Sequence, residues 1–291
     1  MNNGSGNFLL RRYVEKAMVD LPALPTVVMQ VVQATEKPTV TTNEIENLLA
    51  ADAAIITKLL KVVNSAYFGL PRQVVNINQA IAILGMHQVR NLVMSIGVLN
   101  ALTSTSPRIL EIQREFWQQS FAAGSCAQQI AEAKDMKKKD REMIFIGGLL
   151  HDVGRLFLVT LFNLPYKEVL KESIAKNEPL ESVEARILGT THCELGGILA
   201  EKWNFPPALT DMIRYHYPLP DGQVTDDVMC AHIADCIANK FADPSVVGFS
   251  GPMDERAKAW IGFRDEQWKV LEDNTAAQVQ HAKEMLGMLA A

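Results

Sequence analysis

The stretch that most constrains this chain is Met143-Ile144-Phe145-Ile146-Gly147-Gly148-Leu149-Leu150-His151-Asp152-Val153-Gly154-Arg155-Leu156, an apolar run interrupted by an adjacent imidazole and carboxylate. A run this apolar belongs to a core, and an isolated ion in a core costs several kcal/mol or more. His151-Asp152 therefore needs a partner: a metal, neighbouring side chains, or water in a pocket. Adjacent residues of a helix point about 100° apart. The pair can converge on one ion only if other segments bring donors in from the side.

The rest of the chain reads as helices. Leu21-Pro22-Ala23-Leu24-Pro25 separates a helix at 7–19 from a second at about 26–35, because each proline removes a donor and restricts its predecessor. Residues 1–6 read as a loose start. Thr41-Thr42-Asn43-Glu44 has capping-box spacing, and Asp52 is placed to cap the following helix, with Ile55, Ile56, Leu59, Leu60 and Val63 at helical period. A short helix is expected from Asn78 to Gly85, then one with Val89, Leu92, Val93 and Ile96 on one face. Thr103-Ser104-Thr105-Ser106-Pro107 marks the first boundary.

Beyond it a long helix covers about 109–133, and a helix at 140–153, with Asp140 as its cap, carries His151-Asp152. Pro165 and Pro179 punctuate two more. Thr191-His192-Cys193-Glu194 repeats the capping-box spacing, and Pro206-Pro207 opens a helix that ends near Tyr215-His216-Tyr217-Pro218. A helix at 226–242 carries His232 and Asp235 on one face, 243–252 is a loop, and 253–290 holds two or three amphipathic helices. No segment alternates with period two, so the fold class is all-α. The expected division is an N-terminal helical lobe at 1–105, a helical core at 106–243 and a C-terminal helical tail at 244–291.

Charge and cysteine usage narrow the function. The net charge of −5 argues against a nucleic-acid backbone as partner. Lys137-Lys138-Lys139 stands beside Asp140, Arg141 and Glu142 and reads as a solvated helix start. The cysteines Cys126, Cys193, Cys230 and Cys236 are scattered without a Cys-x-x-Cys, as expected of reduced thiols in a cytoplasmic protein. No uninterrupted apolar run reaches membrane-spanning length, and the N-terminus has no signal-peptide pattern, so no membrane span is expected.

The donors are His151-Asp152, His192, His216, His232 and Asp235, each in or near the end of an expected helix. Nitrogen and oxygen donors from several helices suit iron, manganese or zinc rather than a thiolate site. Such an ion can activate water and polarise a phosphoryl oxygen. The alternative is a buried hydrogen-bonded cluster, with His232 a neighbour rather than a ligand.

The order helix–His-Asp–helix–Asp resembles the HD superfamily of metal-dependent phosphohydrolases. It is closest to the HDOD (HD-related output domain) branch, which is related to the HD-GYP branch. The similarity rests on Leu21-Pro22-Ala23-Leu24-Pro25, on Ala51-Asp52-Ala53, and on Leu59 through Val63 with Asn64-Ser65-Ala66-Tyr67-Phe68-Gly69. It continues in Ala80-Ile81-Ala82-Ile83-Leu84-Gly85, in Gly148 through Gly154, in His192 through Pro206 and in Tyr215-His216, and covers roughly residues 18–243. It implies an HD-like helical bundle in bacterial signal transduction, usually regulatory or scaffolding, with other signalling proteins or a nucleotide second messenger as partners.

The matching metal positions are His151, Asp152, Asp235, His192 and His216. The first ligand histidine of active HD enzymes is replaced by Gln119, a poor ligand for a transition metal. No Gly-Tyr-Pro signature follows Tyr215-His216. The first reading is a non-catalytic module, with no residue assigned a catalytic role. No receiver, cyclase or kinase segment accompanies it, so its inputs are expected to arrive non-covalently. The second reading is a phosphohydrolase acting on a nucleotide or cyclic dinucleotide, with His151, Asp152 and Asp235 on one ion, His192 and His216 on another, and Arg155 on the phosphate.

Overall fold

A computed structural model describes residues 12–65 and 68–290, and no strand occurs among them. The expected loose start at 1–6 lies outside the described residues, as do Ala66 and Tyr67 and the beginning of the first helix. That helix, α1, is seen at residues 12–19. The N-terminal helices that follow are α2 (Thr26–Thr35), α3 (Thr42–Leu49), α4 (Ala53–Val63), α5 (Ile77–Leu84) and α6 (Met86–Leu102). The donors fall on or between α7 (Pro107–Ala133), α8 (Lys138–Leu150), α9 (Val153–Lys176), α10 (Leu180–Leu188), α11 (His192–Lys202), α12 (Pro207–Tyr215) and α13 (Asp226–Ala238). A 3₁₀ turn at Asn239–Phe241, α14 (Pro244–Val247), α15 (Glu255–Ile261) and α16 (Asp265–Ala290) complete the chain.

Local chemistry starts these helices where the side chains allow. The Thr41 hydroxyl accepts from the Glu44 N–H at 3.2 Å, and Asp52 accepts from Ala54 and Ile55. Thr191 and Glu194 form both halves of a capping box. Asn76, not Asn78, caps α5, accepting from Gln79 at 2.8 Å, while the Asn78 amide reaches across to Glu46. Lys137, not Asp140, precedes α8, and its side chain makes no cap; Asp140 sits inside the first turn, where its charge suits the helix dipole. Pro165 leaves α9 bent at Phe162 (φ −120°, ψ 17°), since it cannot donate to a carbonyl four residues back.

Among the described residues the larger of two hydrophobic cores runs from Leu21 to Ala282, and a smaller one gathers Val14, Leu158, Tyr166, Leu180 and Leu195. α7 packs along α8, α13 and α16, and α6 lies between α2, α4, α5 and α8. Glycines allow two close backbone approaches around the donors. A Cβ at Gly148 would lie 2.7 Å from the Gly124 Cα, so α7 and α8 touch backbone to backbone. A Cβ at Gly154 would lie 2.6 Å from the Gly196 nitrogen and run into the His192 carbonyl, so α9 meets α11 equally closely.

The segment Lys138–Phe162 is long and apolar enough to cross a membrane, although the uninterrupted runs suggested none. The charges that interrupt it are too few to exclude it on composition. Its most apolar window is 89% buried inside the fold, where it serves as core.

Candidate metal centre

His151 and Asp152 do not lie within a helix at 140–153. α8 stops at Leu150, His151 caps its C-terminus, and Asp152 adopts φ −95°, ψ 16° before α9 starts. This break removes the angular conflict of adjacent helical residues. The Nε2 of His151 lies 3.1 Å from Oδ2 of Asp152 and 3.1 Å from Oδ1 of Asp235 on α13. His192, at the first position of α11, brings its Nε2 to 3.2 Å from Oδ1 of Asp152. His216, the C-cap of α12, brings its Nε2 to 3.7 Å from the same oxygen.

The far side of each ring decides which atom faces the centre. Nδ1 of His151 donates to the Gly148 carbonyl at 2.7 Å, and Nδ1 of His216 donates to the Ile213 carbonyl at 2.9 Å. Both bonds use a carbonyl that the helix end leaves without a partner. Nδ1 of His192 donates to Glu184 at 2.7 Å, and the His192 N–H donates to the same carboxylate oxygen at 2.9 Å. In the neutral ring, a proton on Nδ1 leaves a lone pair on Nε2. Three Nε2 atoms thus converge on one carboxylate in the arrangement that orients metal-ligating histidines.

Two observations test the fit to a cation. Oδ1 of Asp152 is buried and accepts no hydrogen bond, although two ring nitrogens approach it. Metal–ligand bonds of about 2.0–2.2 Å place neighbouring ligands roughly 3–3.5 Å apart, close to the separations seen. The groups His151–Asp152–His216 and His192–Cys193–His216 each present donor atoms that lie within 4.8 Å of one another. The residues fit a divalent cation. Without one, protons must lie between the ring nitrogens and the carboxylates.

The HDOD domain matches residues 21–219 of the chain. The chain belongs to the HDOD domain family. An uncharacterised protein of Treponema pallidum is 30% identical over 204 residues, which cover 69% of this chain and 38% of that protein. The HDOD chain thus spans under half the length of that relative. Among solved structures, an HDOD domain protein of unknown function from Geobacter sulfurreducens matches at a TM-score of 0.67 and 20% identity, covering 97% of this chain and 95% of that one. A candidate signal transduction protein from Marinobacter aquaeolei matches at 0.73 and 19%, covering 96% and 61%. A candidate phosphohydrolase from Shewanella amazonensis matches at 0.69 and 22%, covering 95% and 97%. At these identities the likenesses show the all-helical HD-like fold.

In this HDOD chain Gln119 is buried on α7 and linked to the centre indirectly. Its Nε2 donates to Oδ1 of Asn239 at 3.0 Å, and Nδ2 of Asn239 donates to Oδ1 of Asp235 at 2.7 Å. Oε1 of Gln119 has no partner. Two amides therefore occupy the route from α7 to Asp235. Arg155 is turned inward: its guanidinium pairs with Oδ2 of Asp152, donates to the Val247 carbonyl at 3.0 Å and lies 5.7 Å from the Phe116 ring centre. His232 donates from Nδ1 to the His216 carbonyl at 2.7 Å and accepts the Asp254 N–H on Nε2 at 2.9 Å. Both its nitrogens are used, so it braces His216.

Four participants were missed in the sequence: Glu181, Glu184, Cys193 and Asn239. Glu184 had a signal, since it shares a helical face with Leu180, Val183, Ile187 and Leu188, and it is fully buried. Besides His192, it accepts the Tyr166 hydroxyl. The Cys193 thiol donates to the Tyr217 carbonyl at 2.9 Å and lies 3.4 Å and 3.6 Å from Nε2 of His192 and His216. Burial pushes Cys193 up to about 11 and Glu181 up to about 7. Burial lowers His216, and the neighbouring His151 adds to it. Burial also opposes charge on His192, but Cys193 beside its Nε2 and Glu184 on its Nδ1 prevail and raise its pKa well above the ordinary value.

Proposed function

We propose that this HDOD chain is a regulatory or scaffolding module of bacterial signal transduction. It acts through other signalling proteins or a small ligand and does not catalyse hydrolysis. The observation that carries this reading is the enclosure of the centre. His151, Asp152, His192 and His216 are at most 2% exposed. The cavity that borders Asp152, His192 and Asp235 has a volume of about 10 Å³. That is room for roughly one water or one ion, whereas small-molecule sites occupy about 300–1,000 Å³. The Gln119–Asn239–Asp235 chain supports the same reading, because amides stand where a further ring nitrogen would be needed.

The donor set, if loaded, suits iron, manganese or zinc. Such an ion would supply charge to a centre where Arg155 is the nearest cation, and would tie α8, α11, α12 and α13 together. A second cavity of about 690 Å³ is lined by Phe249–Gly251 as the small one is, and shares Cys236 and Asn239 with it. It has the size for a small ligand.

The alternative, a metal-dependent phosphohydrolase acting on a nucleotide or cyclic dinucleotide, is favoured by one observation: the convergence of the three Nε2 atoms on Asp152. It requires Phe249–Gly251 to move aside. Incubation with Mn²⁺, Fe²⁺ or Zn²⁺ and a panel of phosphomonoesters, phosphodiesters and cyclic dinucleotides separates the two. The proposal expects no turnover above that of the Asp152→Ala variant. Metal-dependent hydrolysis lost in His151→Ala would establish the enzyme.

A further inference from the structure

We infer that Glu181 is a ligand of this centre, and that Asp152, His192, His216 and Glu181 together take one divalent cation of the Mn²⁺, Fe²⁺, Co²⁺ or Zn²⁺ class. The inference rests on the metal-capable reading of the site and deepens it by naming a donor outside the His-Asp pattern.

Glu181 lies in the first turn of α10, and its side chain is 13% exposed. Its Oε1 is 3.8 Å from Nε2 of His192, and its Oε2 is buried without a hydrogen-bond partner. A carboxylate oxygen removed from water without a partner is costly. Among the described residues Glu181 forms no ion pair with a lysine or arginine. Arg155, the nearest guanidinium, is committed to Asp152 and Val247.

Glu181, Asp152 and His192 all line the cavity of about 10 Å³. Oδ1 of Asp152, also without a hydrogen bond, is 3.2 Å from Nε2 of His192 and 3.7 Å from Nε2 of His216. Two ligands on one ion at about 2.0–2.2 Å cannot lie more than roughly 4.4 Å apart, and these three separations fall inside that limit. α10 therefore places a carboxylate at each end of the His192 ring. Glu184 holds Nδ1 and sets the tautomer, while Glu181 stands near Nε2, where the lone pair is directed.

The test uses chelator-treated full-length protein titrated with Co²⁺, followed by calorimetry and by the visible absorption of the bound ion. Wild type is compared with Glu181→Gln, Glu181→Asp and Asp152→Asn, each checked for folding by circular dichroism. The expected result is one ion per wild-type chain, a loss of roughly 10- to 100-fold in affinity in Glu181→Gln, and a changed absorption band in both Glu181 variants. Unchanged affinity and band in both Glu181 variants, with binding abolished in Asp152→Asn, would remove Glu181 from the centre and leave the centre standing. No Co²⁺ uptake by wild type would overturn both the inference and the metal-capable reading.

Discussion

Nε2 of His192 lies 3.2 Å from Oδ1 of Asp152, and that oxygen accepts no hydrogen bond. The ring's proton is held on the other nitrogen, by Glu184. A bare lone pair facing a carboxylate at this distance is repulsive, so either a second ring proton, which the raised pKa of His192 favours, or a cation must lie between them. The centre is organised around that requirement.

Arg155 is the fixed positive charge of the cluster. It is 2% exposed and pairs with Asp152, which faces the Asp235 carboxylate across His151. Arg155→Met should destabilise the metal-free protein by about 3–5 kcal/mol, the cost of leaving a buried charge uncompensated. Excess Mn²⁺ should recover more stability in the variant than in wild type. Urea denaturation with and without the ion measures this, and equal metal effects in the two proteins would contradict it.

Glu184 accepts from the His192 N–H, the His192 ring and the Tyr166 hydroxyl, all buried. Glu184→Ala should cost about 1–3 kcal/mol for each donor left unsatisfied, and more than Tyr166→Phe, which removes only one of the three bonds. Chemical denaturation of both variants checks the order. A Tyr166→Phe effect as large as that of Glu184→Ala would contradict the shared-acceptor account.

Gly154 lets α9 approach α11 and so brings Asp152 to His192. Its Cβ would strike backbone, which cannot rotate away. Gly154→Ala should destabilise by about 1–3 kcal/mol or more, as overpacking does. An unchanged melting temperature would show that the two helices can separate freely.

His232 is a titrating brace. Burial lowers its pKa from 6.5, even though its bond to the His216 carbonyl works the other way. The unfolded chain therefore binds a proton that the folded chain resists. Stability from this residue is complete above about pH 6.5 and is lost as pH falls from there toward the lower folded value. Chelator-treated wild type should lose stability between pH 7 and 5 more steeply than His232→Gln. Parallel slopes would mean that His232 takes up its proton as readily in the fold as in the unfolded chain.

Much of the fold was legible because its signals are local. Thr41, Asp52 and Thr191 each cap the helix that their spacing announced, and Pro107 and Pro207 each open one. Errors came where local chemistry is ambiguous. Asn76 and Asn78 are equally good caps in isolation, and the tertiary bond of Asn78 to Glu46 decides between them. The break at His151-Asp152 is invisible in an apolar run without proline. It depends on neighbouring helices that complete the site.

The site was legible where residue type alone is informative. The imidazoles and aspartates could be named as a set, but their pairing could not. His216 reaches the His151–Asp152 group and also the His192 group, a sharing that the sequence could not report. Asn239 meets Gln119 across 120 residues of chain, and Glu181 meets His192 only through the turn between α10 and α11, which no spacing rule reports.

The central claim is that amides from Gln119 and Asn239 close one side of the centre and leave capacity for a single ion. Native mass spectrometry of the full chain, equilibrated with excess Mn²⁺ or Zn²⁺ and compared with Asp152→Ala, tests this most directly. The account predicts at most one specifically held ion per chain, absent in the variant. Two specifically held ions, both lost in Asp152→Ala, would contradict it.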